Sequence, residues 1–216
     1  MKITKLVHSC LVIEKDSKKI VSDPGSYSWG DEVVRGYDFS GIDAVVITHI
    51  HPDHFHEEFA NHIQQLSPQA VWYGTPEVVE ALGAIGIEAK SSSRDEDIVF
   101  VPSDHADLSP WFDVQPQHTS YVVFGEIFIS GDCQTITDAK GARILAGAIN
   151  GGPWGAVVGF AKMIESMENR PEIVIPIHDW HWNEQARDGI YTHLPDVMGK
   201  FGVRFEPLQT GVTKDI

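Results

Sequence analysis

The segment Thr48-His49-Ile50-His51-Pro52-Asp53-His54 places three imidazoles and a carboxylate within six positions. Neutral imidazole nitrogens and carboxylate oxygens are the donors that bind divalent transition-metal ions. His49 and His51 stand two apart, so an extended backbone points both rings to one side. Pro52 favours that extended state at the residue before it. Asp53 and His54 follow where a helix is expected to begin, so the same turn aims them at a second point. A solvated, histidine-rich surface turn is the alternative reading. The run AVVIT at 44–48 argues against it, because a continuous apolar run of this kind marks a strand covered on both faces.

An ion held by three protein donors keeps one position open for water, so two ions need donors from outside this turn. The sequence offers them at the ends of apolar runs, where α/β proteins place their chemistry. His118 follows 113–117, Asp132 follows 127–130 and His178 follows 173–177. Each alone is more often structural; their equivalent placement is what carries weight. Asp23, at the end of the run 18–22, is suited to holding the metal-binding turn by hydrogen bonds.

The elements that must position these residues follow from period and punctuation. Residues 3–14 and 18–22 read as a strand pair across the polar turn 15–17. Residues 44–48 read as strand, 55–65 as helix ended by Ser67-Pro68, and 70–73 as strand. Pro76 opens a helix through 84 as an N1 proline does, and 87–89 is a short strand. Residues 98–101, 113–117, 121–124 and 127–130 read as strands, with a hairpin turn at Gly125-Glu126. Residues 144–149, 173–177 and 203–207 complete the strands. Helices are expected over 157–168, with the core stripe Val157, Phe160, Ala161, Ile164 and Met167, and over 194–201. No repeat or low-complexity linker divides the chain, so it reads as one domain, 1–216, with an α/β layered architecture.

Composition narrows the partners. Lys+Arg total 16 against 31 Asp+Glu, a net charge of −15 over 216 residues. Nucleic acids and anionic membranes need clustered cations to replace counterions, so both are excluded as main partners. Hydrophobic and charged contents of 42% and 22% fit a folded globular chain. Cys10 and Cys133 are too few for a disulfide scaffold or a four-cysteine zinc module. No stretch approaches the roughly 20 apolar residues of a membrane span. The N-terminal run lacks a cleavage site, so a cytoplasmic location is expected. Histidine is the count that stands out: 11 in all, five of them between His49 and His62.

In their order along nearly the whole chain, these residues resemble the metallo-β-lactamase-fold hydrolase superfamily. The signature reads Asp23, His49-x-His51-x-Asp53-His54, His118, Asp132 and His178. Within that superfamily, LVHSCLVIE, VSDPG, IPIHD and PLQTG resemble the ascorbate-6-phosphate lactonase-like branch and related bacterial metal-dependent hydrolases. The resemblance implies a four-layered αβ/βα sandwich with a binuclear site at the sheet ends. His49, His51 and His118 would bind one ion, Asp53, His54 and His178 a second, and Asp132 would bridge them, with Asp23 and His8 in support. His51 stands where oxygen-reducing diiron members carry Glu. The nitrogen-rich set suits Zn2+, and Mn2+ or Fe2+ use the same donor types.

The activity implied is hydrolysis, with a hydroxide between the ions as nucleophile, oriented by Asp53. His181 is a candidate proton donor to the leaving group, and His105 a weaker one. The substrate would be a small anionic or carbonyl-bearing molecule, a lactone or ester. The alternatives are a small-molecule phosphodiesterase and a non-catalytic metal-binding sensor, although all seven signature ligands are present. Cys133 follows Asp132 where many members have Thr, and a buried, inert thiol is favoured over one that approaches metal. Val7 replaces the Gly usual before His8 in the branch. Trp29 and Trp154 are candidate pocket aromatics, with core packing as the alternative.

Overall fold

The computed structural model describes residues 1–109, 113–150 and 157–216. In chain order, the first part forms β1 (Lys2–Lys5), β2 (Leu11–Lys15), β3 (Lys18–Ser22), α1 (Ser26–Trp29) and α2 (Glu32–Arg35). It continues with β4 (Ala44–Val46), α3 (Glu57–Leu66), β5 (Val71–Tyr73), α4 (Pro76–Ala84) and β6 (Ala89–Lys90). There follow β7 (Ile98–Pro102), β8 (Thr119–Val123), β9 (Ile127–Ile129), β10 (Ile144–Ala148) and α5 (Val157–Ser166). The chain closes with β11 (Ile173–Ile177), α6 (Glu184–Gly199), β12 (Arg204–Phe205) and β13 (Thr213–Asp215). Trp154 lies outside the described residues.

Two compact units result. The first comprises Met1–Arg94, Pro116–Thr119 and Leu208–Ile216; the second comprises Asp95–Gln115 and Ser120–Pro207. The sheet of the first runs β13-β1-β2-β3-β4-β5-β6, antiparallel through β3 and parallel from β3 to β6. The switch to parallel pairing explains why β4 reads as uninterrupted apolar sequence: all three of its residues are buried. Helices α3 and α4 pack on this sheet. Phe59, Ala60 and Ile63 of α3, and Val78 and Leu82 of α4, share one cluster with Val12, Val21, Val45 and Trp72. Thr75 caps α4 by accepting from Val78 N–H, and Pro76 supplies the helix start foreseen from sequence.

In the second unit the order is β12-β11-β10-β9-β8-β7, parallel from β9 to β12 with β8 antiparallel to β9. Every residue of β10 and β11 is buried. The stripe foreseen on α5 is core: Phe160, Ile164 and Met167 cluster with Val122, Phe128, Leu145 and Val174, joined by Leu194 and Met198 of α6.

Several expectations are corrected. Residues 3–14 are not one strand. The chain breaks after β1, with Leu6 N–H bonded to the Cys10 carbonyl and His8 at φ 61°. Residues 113–118 join no strand, and Val114 is 82% exposed, so His118 leads into β8 instead of following a strand. The β8–β9 turn centres on Phe124 and Gly125, at φ 56° and 65°, one residue earlier than read. Two positive φ values match the right-handed twist of a hairpin. Helix α6 begins at Glu184 because Asn183 caps it, accepting from Ala186 N–H; Pro195 lies inside the helix, not at its start. Strand β13 has three exposed residues and thus no apolar alternation to reveal it.

The packing of α5 predicts a steep contrast along one helix. Phe160 is fully buried and Val158 is 62% exposed. Phe160→Ala should cost about 3–5 kcal/mol of stability in urea unfolding. Val158→Ala should stay within about 0.5 kcal/mol of the parent.

Candidate metal centre

Parallel pairing of β3 with β4 sets Ser22 beside Val46, so the residues just beyond both strand ends meet. Asp23, fully buried and at φ 43°, stands at that point. A buried carboxylate needs donors, and the metal-motif turn supplies them. Thr48 N–H donates to Oδ1 at 2.8 Å, the Thr48 hydroxyl reaches both oxygens at 3.1 and 3.0 Å, and His54 Nδ1 lies 3.0 Å from Oδ2. Since a carboxylate only accepts, His54 carries its proton on Nδ1 and presents Nε2 as a lone pair. Thr48 Oγ1 also lies 3.0 Å from His49 Nδ1. With its hydroxyl proton given to Asp23, that oxygen accepts from His49 Nδ1–H, and His49 likewise presents Nε2.

His49 Nε2 and His51 Nδ1 are 3.1 Å apart. Two nitrogens bound tetrahedrally to one zinc would be about 3.3 Å apart, given bonds of about 2.05 Å. The extended backbone expected from the two-residue spacing and Pro52 therefore does bring the two rings to one point. Asp53 and His54 are corrected in one respect. They lie in a turn closed by His54 N–H and Phe55 N–H on the His51 carbonyl, ahead of α3, which begins at Glu57.

His8 approaches from the break between β1 and β2. It is buried, its Nε2 lies 3.1 Å from Asp53 Oδ2, and the ligand atoms of His8, Asp53 and His54 fall within 4.8 Å of one another. Tyr27 sets its ring edge-on to His8 at 5.1 Å. Burial, and secondarily the Asp53 charge, push the Tyr27 hydroxyl above its ordinary pKa, so it stays protonated. His118 is drawn to the same unit by Thr119 N–H donating to the Thr48 carbonyl at 3.1 Å, and its ring centre is 5.3 Å from that of His49.

Residues 24–26 brace the turn from behind. Ser26 N–H donates to the Pro52 carbonyl and His56 N–H to the Pro24 carbonyl. Gly25 approaches so closely that a Cβ there would sit 1.8 Å from the Asp53 carbonyl oxygen. Trp29, in contrast, covers core: it stacks on Phe59 at 5.3 Å and donates Nε1–H to Glu58.

The second unit gathers its own donors at strand ends. Asp132 lies just past β9, and its Oδ2 is 3.1 Å from His178 Nε2 and 3.4 Å from His105 Nε2. His178 follows β11 directly, and its Nδ1 meets Asn150 Oδ1 at 3.1 Å. His105 Nδ1 meets the Ala106 carbonyl at 2.7 Å. Both Nδ1 partners are acceptors, so both rings carry the proton there and turn an Nε2 lone pair toward one carboxylate oxygen. Lone pairs facing a carboxylate repel unless positive charge lies between them. A divalent cation meets that demand for both rings at once, and the donor set fits one.

His105 is the residue that sequence reading undervalued. It lies beyond the apolar run of β7, the same strand-end position that singled out Asp132 and His178. His181 has its ring 5.5 Å from that of His178. Cys133 is buried in the core cluster of its unit, with Sγ 3.5 Å from Thr135 Oγ1, as expected of a packed thiol. No helix among the described residues is long and apolar enough to cross a membrane.

The comparisons with known proteins agree with this arrangement. The family model described as "Beta-lactamase superfamily domain" matches residues 2–178, and the chain belongs to that family. It has the metallo-β-lactamase fold, and its two units each supply a sheet with packed helices. Protein Rv0786c of Mycobacterium tuberculosis is 34% identical over 83 residues, 38% of this chain and 37% of that protein. The match thus spans little more than a third of the curated relative. Igni18, a metallo hydrolase from the archaeon Ignicoccus hospitalis, superposes with a TM-score of 0.68 at 19% identity, over 100% of this chain and 98% of that one. The isothiocyanate hydrolase from Delia radicum gut bacteria gives a TM-score of 0.61 at 17% identity, over 100% and 99%. The chain is therefore a member of a metal-dependent hydrolase superfamily with His/Asp groups suited to divalent metal.

The brace behind the turn generates a test with two glycines. Gly25→Ala should lower the melting temperature, because every atom within 3 Å of the new Cβ is backbone of Asp53 or His54. Gly83→Ala, in the exposed last turn of α4 with nothing within 4 Å, should stabilise by about 0.4–1 kcal/mol.

Proposed function

We propose that the chain is a binuclear metal-dependent hydrolase acting on a small ester or lactone. The observation that carries this reading is the convergence of histidine lone pairs: Nε2 of His105 and His178 on Asp132, and His49 against His51. His49, His51 and His105 are assigned to one ion and Asp53, His54 and His178 to the other, with Asp132 shared. The ordered family signature puts His118 in the third place. His105 is preferred because its tautomer is fixed and its Nε2 faces Asp132, whereas His118 is only half-buried. Zn2+ suits the nitrogen-rich set, and Mn2+ or Fe2+ would use the same donors.

When bound, two divalent cations acidify water and polarise a carbonyl or phosphoryl oxygen. The chain's own residues do the rest. Asp53, steadied by His8, orients the attacking water and accepts its proton. Asp23 and Asn150 keep the Nε2 atoms of His54 and His178 available. His181, beside His178, is assigned the proton donor to the leaving oxygen. A positively charged centre in an acidic chain favours an anionic or carbonyl-bearing small molecule. Lactone or ester chemistry is supported by the motifs LVHSCLVIE, VSDPG, IPIHD and PLQTG. A cytoplasmic location is supported by two buried cysteines in no disulfide.

Two experiments test the reading. Zinc-loaded protein should hydrolyse at least one member of a panel of lactones, carboxylic esters and thioesters, losing the activity to a chelator and regaining it with zinc. Turnover of bis(nitrophenyl) phosphate alone would make it a phosphodiesterase, and full metal content with no turnover at all would make it a binding protein. Competition with a chromophoric chelator separates the two histidines. His105→Ala should weaken zinc binding by at least about 100-fold, and His118→Ala by less than about tenfold. The reverse order would return His118 to the ligand set.

A further inference from the structure

His178 is held by two independent constraints, and only one acts on its ring. The other begins at the next residue. Past the end of β11 the backbone turns through a left-handed conformation at His178, φ 61°, which a residue with a Cβ adopts at a cost. Asp179 follows, 3% exposed, with its carboxylate inside the protein. Tyr191, in the middle of α6, donates its hydroxyl to Asp179 Oδ2 at 2.5 Å. A hydrogen bond this short, to a buried charged acceptor, belongs to the strong class.

Tyr191 is itself well anchored. Its ring meets Phe205 of β12 edge-on at 5.3 Å, and α6 is fixed by the Asn183 cap and by the buried Leu194 and Met198. Burial, and then the Asp179 charge, hold the Tyr191 hydroxyl far above its ordinary pKa, so it remains a donor throughout the neutral range. Trp182 N–H approaches the Asp179 carbonyl at 3.4 Å and closes the turn.

We propose that Tyr191 is a positioning residue for His178: its hydroxyl latches the buried Asp179 carboxylate to α6 and so holds the left-handed turn that aims the imidazole. Asn150 sets the rotation and tautomer of the ring; Tyr191 sets the backbone from which the ring projects. The consequence for metal rests on the function proposed above, whereas the mechanical consequence rests on this geometry alone. The experiment therefore reads both.

Tyr191→Phe keeps the ring packing on Phe205 and removes one oxygen. Hydrogen exchange in the metal-free protein should accelerate at least about tenfold at residues 178–182 while β10 and the body of α5 exchange as before. In the zinc-bound protein one of the two ions should bind about 10–100-fold more weakly, with the other unchanged, as loss of an outer partner to a ligand does. A merely structural residue would lower the protection of β10 and the affinity of both ions together. Should the variant fail to fold, Asp179→Asn keeps an acceptor for the hydroxyl but removes its charge, and should accelerate exchange at 178–182 by about fivefold. Unchanged exchange at 178–182 in a folded Tyr191→Phe protein, or in Asp179→Asn if that is the one available, overturns the latch. Faster exchange in a protein that takes up no zinc sustains the latch and overturns the metallohydrolase reading. Unchanged exchange in a protein that binds two zinc ions does the opposite.

Discussion

A single buried carboxylate organises the histidine-rich turn. Asp23 is out of reach of water, and its charge is met by Thr48 N–H, the Thr48 hydroxyl and His54 Nδ1. Hydrogen bonds to a charged group contribute about 1.5–3 kcal/mol each, and removing a donor from a buried carboxylate costs more than the bond. The turn is thereby confined to the conformation that satisfies Asp23. His54 has no freedom of tautomer, and the Thr48 hydroxyl passes the same constraint to His49. The close approach of Gly25 to Asp53 and the backbone bonds from Ser26 and His56 fix the far side. Side chains that would hold metal are thus positioned before any ion arrives, which is the general requirement for a site with an open coordination position.

The second unit reaches the same end with neutral partners. The Asn150 amide oxygen and the Ala106 carbonyl take the Nδ1 protons of His178 and His105, leaving each Nε2 as a donor atom for metal. Placement at strand ends does the rest. β9 delivers Asp132, β10 delivers Asn150 and β11 delivers His178, and because these strands are parallel neighbours their C-terminal ends lie side by side. His178 pays for its position with a left-handed backbone, and the residues around it absorb that strain.

Much of this was legible in sequence because the physics was local. The spacing of His49 and His51, the proline after them and the apolar strand before them are short-range signals, and the turn is built as they indicate. Helix α4 and the stripe of α5 were likewise readable from an N1 proline and helical spacing. What could not be read depended on pairing across the chain. The run 3–14 is apolar enough for one strand, and only the return of β13 to pair with β1 shows where that strand must end. The left-handed turn at His8 is invisible without it. His118 looked like a strand-end donor because 113–117 alternates, but no neighbouring strand accepts its backbone. His105 sits in a polar loop whose composition hides that its Nε2 reaches the Asp132 carboxylate. Net charge was the least informative quantity: −15 describes a solvated surface and says nothing of the histidine lone pairs that define the centre.

The central claim is that these lone pairs and carboxylates exist to hold two divalent ions. Elemental analysis of the chain purified without added metal tests it most directly. About two divalent ions per chain, or uptake to that level on titration with zinc, is the result expected of two three-ligand sites sharing a carboxylate. Protein that is metal-free as purified and takes up no zinc at neutral pH would contradict it.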